Sequence, residues 1–397
     1  MRVIFIGSFF PIERTSEIKS NSNGYIDNAA NNFQWALING LDCYYPQIEL
    51  ITLPVIGAYP FHYKKAYFSK SFFFHKEKSN NKSLGFSNLP LIKHISKYYN
   101  LYQSIKKIDP KEPTTIIIYA MHSPFLKAVF KLKASGYNLK TCLVIPDLPQ
   151  FMSANKNIFY IFFKRIDAYF IKKYLRAIDS FVFFSDQMID FIAVKNKPWT
   201  RIEGIFLPPK NVHPVSKEDR KVILYTGSLA EIYGIKNLID AFLSIQEMNY
   251  ELWICGDGDY KSEIIMESLK DNRIKYFGQL PFNEIQNLQK RATVLVNPRT
   301  SHGDYTKYSF PSKTMEYLAS GTPCIMHRLP AIPSEYFPFL FIAEKEDAEG
   351  LRDKIIEVCN KEEKDLINFG AKASEFILMN KNPESQVKKI FDMLNNL

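Results

Sequence analysis

Seven apolar segments rich in β-forming residues recur along the chain and alternate with stretches of helical periodicity. Strands that are apolar throughout are typical of parallel sheets with helices on both faces. The segments are RVIFIG at 2–7, TTIIIYA at 114–120, TCLVIPD at 141–147, SFVFFS at 180–185, VILYTG at 222–227, ELWICG at 251–256 and ATVLVNP at 292–298. Because the pattern occurs once before residue 207 and again after residue 220, it predicts an α/β protein with two doubly wound, Rossmann-like domains.

The chain length supports this division, since 397 residues exceed what a single core usually organises. We expect a first domain at 1–207, a linker at 208–220 and a second domain at 221–378. The linker sequence, PPKNVHPVSKEDR, has the prolines and charges of a connecting segment. Residues 379–397 have a helical pattern and are a candidate to cross back to the first domain. If the two domains faced each other, the carboxyl ends of their strands would line a shared crevice.

Composition limits the class of protein. The 46% hydrophobic content is that of a globular chain rather than a disordered one. The five cysteines share no spacing that would hold zinc, and we expect them to be reduced core thiols in a cytoplasmic protein. The opening segment MRVIFIGSFFP is too short for a signal peptide or a membrane span, and we interpret it as the first strand.

The net charge of +10 is concentrated in the first half of the chain. Residues 1–210 carry 28 Lys and Arg against 14 Asp and Glu, whereas the remainder carries 23 against 27. The stretch from Lys64 to Lys107 is rich in lysines interleaved with aromatic residues, as in HYKKAYFSKSFFFHKEK. Such a surface attracts phosphates or an anionic membrane face. No nucleic-acid-binding motif accompanies the charge, so we expect no nucleic-acid partner.

In the second domain, the strand ending at Gly227 runs into the loop SLAEIYG and then a helix with apolar positions on one face. The start of that helix would favour an anion, although any βα unit shares this geometry. The next strand ends in a GDGD turn. Asp257 and Asp259 in this turn suggest either a metal site or, as we favour, a turn that starts a helix.

The most informative segment is 297–323, NPRTSHGDYTKYSFPSKTMEYLASGTP. Pro311 suits the first position of a short helix and Gly321 its end. The free N–H groups of Ser312, Lys313 and Thr314 would then be available to a diphosphate, with the Lys313 ammonium adding charge. Glu316 suits two vicinal ribose hydroxyls, but it also suits a solvated helix position, and the residues alone do not decide between these.

The motifs ILYTGSL, LWICGDGD, YFGQLP, LVNPR and FPSKTMEYLASGTP, in this order, resemble the nucleotide-sugar-binding domain of glycosyltransferase family 4, the retaining GT-B enzymes. In that family a Glu-x7-Glu pattern contacts the donor, and Glu316 matches the second glutamate, which binds ribose. This sequence departs from the pattern at Tyr308, which stands in place of the first glutamate. It also has Ser228 and Tyr233 where the family has an arginine and a lysine for the diphosphate.

These departures from the family pattern imply that the diphosphate site is either rebuilt or lost. Lys313, Lys307 and Arg299 are the available cations, and our hypothesis is that Lys313 chiefly compensates. The predicted donor-binding residues are Gly227, Ser228, Tyr233, Arg299, Lys307, Ser309, Phe310, Ser312, Lys313, Thr314 and Glu316.

In the first domain the resemblance is looser. The loop containing Gly24 and Tyr25 is similar to the family's glycine loop and is a candidate for the acceptor side, with a simple turn as the alternative. His122 directly follows a strand, where family members often have a histidine that meets the donor sugar, although an isolated histidine is more often structural. Asp147 is either a loop cap or an active-site residue. His122, Asp147 and Tyr308 together form the predicted catalytic set.

Residues 158–176 have a helical pattern with apolar residues, among them Ile158, Phe159, Phe162, Ile166, Tyr169 and Phe170, on one side and basic residues on another. We favour a helix whose apolar side is buried and whose basic side is solvated over a membrane-surface helix. The stretch from Lys64 to Lys107, called the basic tract below, is the better candidate for contact with a membrane surface.

The resemblance implies a hexosyltransferase-type glycosyltransferase that moves a sugar from a UDP- or GDP-linked donor to a hydroxyl of a glycan or lipid-linked acceptor. It implies retention of configuration and no cofactor or metal. We expect a role in cell-surface polysaccharide or glycolipid assembly, at a cytoplasmic location peripheral to the inner face of the plasma membrane. The alternatives are a degenerate GT-B protein that binds nucleotide or glycan without catalysis, and a GT-B epimerase or phosphorylase.

Overall fold

The structure, a computed structural model, describes residues 2–24, 26–77, 79–90, 92–148, 158–192, 196–208 and 215–397. The chain divides into two compact units. The first unit comprises Met1–Ile205 together with Pro383–Leu397, and the second unit comprises Phe206–Asn382.

The first unit is built on an eight-stranded sheet in the order β10-β9-β8-β7-β1-β2-β5-β4. All neighbouring pairs are parallel except β4 with β5, and a small antiparallel pair joins β3 to β6. The strands are β1 Arg2–Gly7, β2 Glu49–Thr52, β3 Tyr67–Phe68, β4 Ser71–Phe73, β5 Asn81–Ser83, β6 Phe86–Ser87, β7 Thr114–Tyr119, β8 Leu139–Ile145, β9 Ser180–Phe183 and β10 Trp199–Arg201.

The helices of the first unit include the last helix of the chain. They are α1 Thr15–Asn21, α2 Asn28–Tyr44, α3 Ile92–Ile105, α4 Ser123–Ala134, α5 Ile158–Leu175, α6 Met188–Ile192 and α13 Pro383–Asn395. Helix α13 packs on α2 at Gly40, where a Cβ atom would lie 2.2 Å from the Pro383 carbonyl oxygen. The rings of Tyr44 and Phe391 stack beside this contact, 4.8 Å apart. The C-terminal helix therefore begins at Pro383 and belongs to the core of the first unit.

The second unit has a six-stranded, fully parallel sheet in the order β13-β12-β11-β14-β15-β16. Its strands are β11 Lys221–Ser228, β12 Tyr250–Asp257, β13 Ile274–Gly278, β14 Val294–Asn297, β15 Cys324–Met326 and β16 Phe341–Ile342. Its helices are α7 Ile235–Leu243, α8 Lys261–Lys270, α9 Phe282–Arg291, α10 Ser312–Ala319, α11 Ala348–Cys359 and α12 Glu363–Asn380.

The six strands of the second unit, numbered along the chain, lie in the order 3-2-1-4-5-6 that is typical of dinucleotide-binding sheets, in which strands are added outward from the first strand on one side and from the fourth on the other. Here these strands are β11 and β14, which lie side by side. Ligands of such sheets bind outside the carboxyl ends of the strands at this switch point. The loops that follow β11 and β14 are therefore where a site is expected in this unit.

Two sequence interpretations are corrected by burial. Ile166, Tyr169 and Phe170 on α5 are 39%, 70% and 40% exposed, so the expectation that this apolar side is buried is wrong for them. The side chains of Ile158, Phe159 and Phe162 lie outside the described part of that helix. Four of the cysteines are buried and free, but Cys43 on α2 is exposed rather than in the core. No helix within the described ranges is long and apolar enough to cross a membrane.

Candidate functional site

Helix α10 is held at the switch point by Tyr317. The Tyr317 hydroxyl accepts a hydrogen bond from the Thr226 amide at 2.8 Å and donates to the Thr226 carbonyl at 3.0 Å. Since Thr226 lies near the carboxyl end of β11, this contact fixes the helix against that strand. On the other side, the Asn297 amide at the end of β14 donates to the Thr314 hydroxyl at 3.3 Å. The first turn of α10 is thus tied to both strands of the switch point.

The helix begins at Ser312, with Pro311 at the capping position rather than at the first helical position. The expectation that Thr314 offers a free N–H group is wrong, because its amide donates to the Pro311 carbonyl at 2.9 Å. Its side chain is fully buried as well. The amides of Ser312 and Lys313 have no backbone acceptor within the described residues. Two N–H groups therefore remain for an anion at this helix end.

Lys313 and Glu316 form an ion pair within α10. The Lys313 ammonium donates to a Glu316 carboxylate oxygen at 2.7 Å, and both side chains are about one-third exposed or less. Both groups that were predicted to meet the donor are therefore engaged with each other. A diphosphate near Lys313 and a ribose near Glu316 would compete with this contact.

Of the three candidate cations, Arg299, Lys307 and Lys313, Arg299 has the surroundings that best suit a bound anion. It lies two residues after the end of β14 and is only 5% exposed. Its guanidinium carbon lies 4.6 Å from the ring centre of Tyr305 and 5.7 Å from that of Tyr233. Its Nε and Nη2 atoms are buried and have no hydrogen-bond partner among the described residues. A buried donor that lacks an acceptor is costly, so this arrangement favours a bound acceptor.

Lys307 differs from Arg299 in exposure and pairing. Its ammonium lies 3.0 Å from the Asp304 carboxylate on an exposed turn, and this hydrogen bond raises the pKa of Lys307. The neighbouring Tyr308 and Ser309 are half-buried, whereas Phe310 is buried and packs its ring 5.4 Å from that of Tyr336. Phe310 therefore belongs to the core beneath α10.

The loop after β11 is shaped by the turn after β12. Gly256 and Gly258 have φ values of +143° and +158°, and a Cβ atom at Gly258 would lie 2.7–2.9 Å from the backbone of Leu229. The Leu229 amide donates to the Asp257 carbonyl at 3.0 Å. This contact places Gly227 and the exposed Ser228 at the mouth of the switch point.

The aspartates of the GDGD turn fit a structural role. The Asp257 carboxylate lies 3.5 Å from the Lys261 ammonium in the first turn of α8. The GDGD turn thus starts a helix, as we favoured. Within the described ranges, no three His, Cys, Asp or Glu side chains are grouped to hold a metal ion.

The predicted residues of the first unit lie at the carboxyl ends of β7 and β8. His122 caps the start of α4, and burial together with the charges of Lys97, His94 and Lys93 lowers its pKa to about 3. Asp147 follows β8. Burial and the nearby Asp27 carboxylate raise its pKa.

The glycine loop of the first unit is described only in part. Gly24 has a φ value of +104° with open space around it, so its conformation is what requires glycine. Tyr25 lies outside the described residues.

Several residues that position the site were missed by sequence reasoning. Tyr317 and Asn297 fasten α10, Tyr305 supports the Arg299 guanidinium, and the Asp27 side chain caps α2 by accepting from the Ala30 amide at 2.9 Å. Tyr317 and Asn297 lie in the segment that carried the motif, but their roles depend on contacts 91 and 17 residues away in sequence. Sequence periodicity carries no signal for such contacts.

The second unit is similar in sequence to known proteins. The family model described as glycosyl transferases group 1 matches residues 220–361, which span the switch point of the second unit. A protein of Methanocaldococcus jannaschii, named an uncharacterized glycosyltransferase, is 27% identical over 144 residues. The match covers 35% of this chain, and the chain spans only 38% of the length of that relative.

Solved structures match the whole chain. Sucrose-phosphate synthase from Thermosynechococcus elongatus has a TM-score of 0.63 at 15% identity, covering 100% of this chain and 99% of that one. The Anabaena protein HepE in complex with UDP has a TM-score of 0.62 at 12% identity, covering 100% of both chains. At these identities the likeness shows the fold alone. The chain therefore has the GT-B fold, and its residues 220–361 match the family model of the group 1 glycosyl transferases.

Proposed function

We propose that this protein is a hexosyltransferase that moves a sugar from a UDP- or GDP-linked donor to a hydroxyl of a glycan or lipid-linked acceptor, with retention of configuration. The observation that carries the proposal is Arg299, a buried guanidinium with two unpaired donor atoms at the switch point of a group 1 glycosyl transferase domain. A donor diphosphate supplies the acceptor oxygens that this guanidinium lacks.

The donor would be held along α10. The diphosphate would meet Arg299 and the free amides of Ser312 and Lys313, where the helix end favours negative charge. Glu316 would accept hydrogen bonds from the ribose hydroxyls after its contact with Lys313 opens. The freed ammonium of Lys313 would then add to the charge facing the diphosphate. We therefore infer that Arg299 and Lys313 share the role that we first gave chiefly to Lys313.

In the transfer step, the bond between the anomeric carbon and the diphosphate oxygen breaks, and the electron pair leaves with the nucleotide diphosphate. A bond forms between the anomeric carbon and the acceptor oxygen on the same face, and the acceptor proton passes to the leaving phosphate. The negative charge that develops on the diphosphate would be stabilised by the fixed guanidinium and helix amides, which is usually the largest contribution to such a rate. The residues used are protein side chains and amides, and the proposal includes no metal.

A donor screen tests this function. Thermal unfolding in the presence of UDP- and GDP-sugars should show a concentration-dependent rise in Tm for the true donor. The Glu316→Ala variant should show a smaller rise, because it lacks the carboxylate for ribose. Product analysis by NMR would then establish transfer and the anomeric configuration. Binding of a nucleotide without hydrolysis or transfer would instead favour the binding-only alternative, and an epimerised or phosphorolysed product would identify the other enzyme classes.

The proposed class of acceptor is inferred from exposed side chains on the surface of the first unit. Tyr67, Phe72 and Phe74 are 58%, 55% and 65% exposed and lie among the lysines of the basic tract, and Phe61, which is 80% exposed, lies just before it. Exposed aromatic rings with neighbouring cations suit an interface with anionic lipid. We therefore favour a lipid-linked acceptor and a site of action at the inner face of the plasma membrane, in glycolipid or polysaccharide assembly.

A further inference from the structure

The first unit contains a cavity of about 280 Å³ that none of the donor-binding residues line. Its walls come from the loop after β2, from α3 and from the start of α4. Because β2 and β7 are parallel strands of one sheet, the cavity lies at the carboxyl edge of that sheet, where ligands of such folds bind. Its apolar walls include Ile56 and Phe125.

The cavity gathers four basic side chains, Lys93, His94, Lys97 and His122. Among the described residues that line it, none is acidic. Lys97 is only 7% exposed, and its ammonium donates to the carbonyls of Leu53 at 3.2 Å and Pro54 at 2.9 Å. Lys93 donates to the Ile56 carbonyl. In the part of the chain that the structure describes, neither ammonium is paired with a carboxylate.

The burial of these neighbouring basic groups is electrostatically unfavourable for their charged forms. Burial lowers the pKa of Lys93 to about 8, and burial together with the charge of Lys93 lowers the pKa of Lys97 well below its usual range. Lys93 and His94 also lie in the first described turn of α3, and neither this turn nor the first turn of α4 holds an acidic residue that would offset the positive helix end. Among the described residues, the Asp167 carboxylate acts on this cluster and raises the pKa of His94 against the lowering effect of burial.

We propose that this cavity binds the phosphoryl group of a phosphate monoester. Two buried lysines suit a dianion, because a bound negative charge favours the protonated form of both, and lysine is a common point-charge ligand of phosphate. The volume lies just below the range typical of drug-sized ligands, so it suits a phosphoryl group with a few attached atoms rather than a nucleotide. We assign this phosphoryl group to the acceptor of the sugar-transfer reaction. This assignment rests on the proposed function, in which the donor binds in the second unit.

Titration of the full chain with inorganic phosphate and with glycerol 3-phosphate tests the proposal, by calorimetry at constant ionic strength. We expect saturable 1:1 binding that Lys97→Met weakens about tenfold or more, as expected when a charged hydrogen-bond donor is lost. Because a variant at buried Lys97 could fail to fold, Lys93→Met serves as a second variant with the same expected direction. Lys131→Met is the matched control, since this exposed lysine lies in the last turn of α4, away from the cavity.

The pH dependence of phosphate affinity is a second test of the proposal. The groups facing the site are Lys93, Lys97, His94, His122 and, from α5, Asp167. Since Lys93 loses its proton near pH 8 in the empty protein, phosphate affinity should fall as the pH rises above about 8 and should do so less in Lys93→Met. Wild-type affinity in both cavity variants, or equal loss in Lys131→Met, would overturn the proposal.

The source of the phosphoryl group is distinguished by two further ligands. A soluble sugar phosphate that competes with inorganic phosphate identifies a soluble acceptor, and vesicles containing phosphatidic acid that compete identify a lipid headgroup. Both results support the cavity as a phosphate site. Nucleotide-sugar binding measured on the same variants should be unchanged, so that failure of the cavity proposal and failure of the proposed function give different results.

Discussion

Arg299 illustrates how much of a side chain's role depends on its neighbours. The sequence places it after a strand, as one of three available cations, but its burial and the rings of Tyr233 and Tyr305 are what separate it from Lys307. Lys307 is exposed and paired with Asp304, so it offers less to a ligand. Sequence reasoning preferred Lys313 because its position at a helix start is visible in the motif, whereas the environment of Arg299 is not.

Replacing Arg299 with Gln should therefore reduce kcat/KM for the donor by a factor that corresponds to about 1.5–3 kcal/mol. Arg299→Lys should recover part of this loss, since it keeps the charge but not the planar pair of donors. Tyr233→Lys in the Arg299→Gln background should also recover part, because residue 233 lies against the same space. Steady-state kinetics with the identified donor would measure these effects.

Arg291→Gln is the matched control for Arg299. Its guanidinium also lies over an aromatic ring, that of Trp253 at 5.1 Å, but it is at the end of α9 rather than at the switch point. It should leave donor kinetics unchanged. If Arg299→Gln behaved in the same way as Arg291→Gln, Arg299 would not contact the donor.

The Lys313–Glu316 pair gives a second residue-scale prediction. Lys313→Ala should raise the donor KM or lower kcat by a factor that corresponds to about 1.5–3 kcal/mol, because the ammonium is needed at the diphosphate once it leaves Glu316. Lys270→Ala breaks an ion pair of the same spacing in α8, with Glu267 at 2.8 Å, and should have no kinetic effect. Unchanged kinetics in Lys313→Ala would remove this residue from the site.

At the scale of the elements, the sequence predicts the strands that are buried on both faces of a sheet. It misses short strands and the exposure of a helix side. All seven apolar segments form strands, because parallel strands covered by helices must be apolar throughout. The short strands β3, β4, β5 and β6 were not predicted, since two or three residues carry no periodicity. The apolar side of α5 was expected to be buried because the pattern shows amphipathicity but not what covers it.

The attachment of α10 can be tested through Tyr317. Tyr317→Phe removes the hydroxyl that bonds both backbone groups of Thr226, and it should lower the free energy of unfolding by about 1–3 kcal/mol because a buried amide loses its partner. Donor affinity should fall as well, since α10 loses its link to β11. Tyr250→Phe is the control, because the Tyr250 hydroxyl is buried without a partner among the described residues and its removal should cost little. Chemical denaturation measures both variants, and equal stability of the two would contradict this account of α10.

Over the whole molecule, the charge is divided as the sequence shows, but the lysines of the basic tract do not act as one group. Lys93 and Lys97 face a cavity, whereas Lys64 and Lys70 are exposed, the latter 5.0 Å from the ring of exposed Phe72. A charged run in a sequence does not distinguish these cases, because the spacing of Lys93 and Lys97 on one helix face becomes informative only when the loop after β2 packs over it. The tract therefore contains an expected surface for lipid and a separate expected site for phosphate.

Vesicle sedimentation tests whether the exposed lysines of the basic tract bind an anionic lipid surface. The full chain should bind anionic vesicles more tightly than neutral ones, and the binding should weaken with salt. Replacing Lys64 and Lys70 together should weaken anionic binding by up to about 30-fold, since each lysine near such a surface contributes about 1 kcal/mol. Replacing the exposed Lys364 and Lys372 of α12 removes the same charge from the second unit and should have little effect. Equal binding to neutral and anionic vesicles would exclude an electrostatic membrane surface, and equal loss in both double variants would show that only net charge matters.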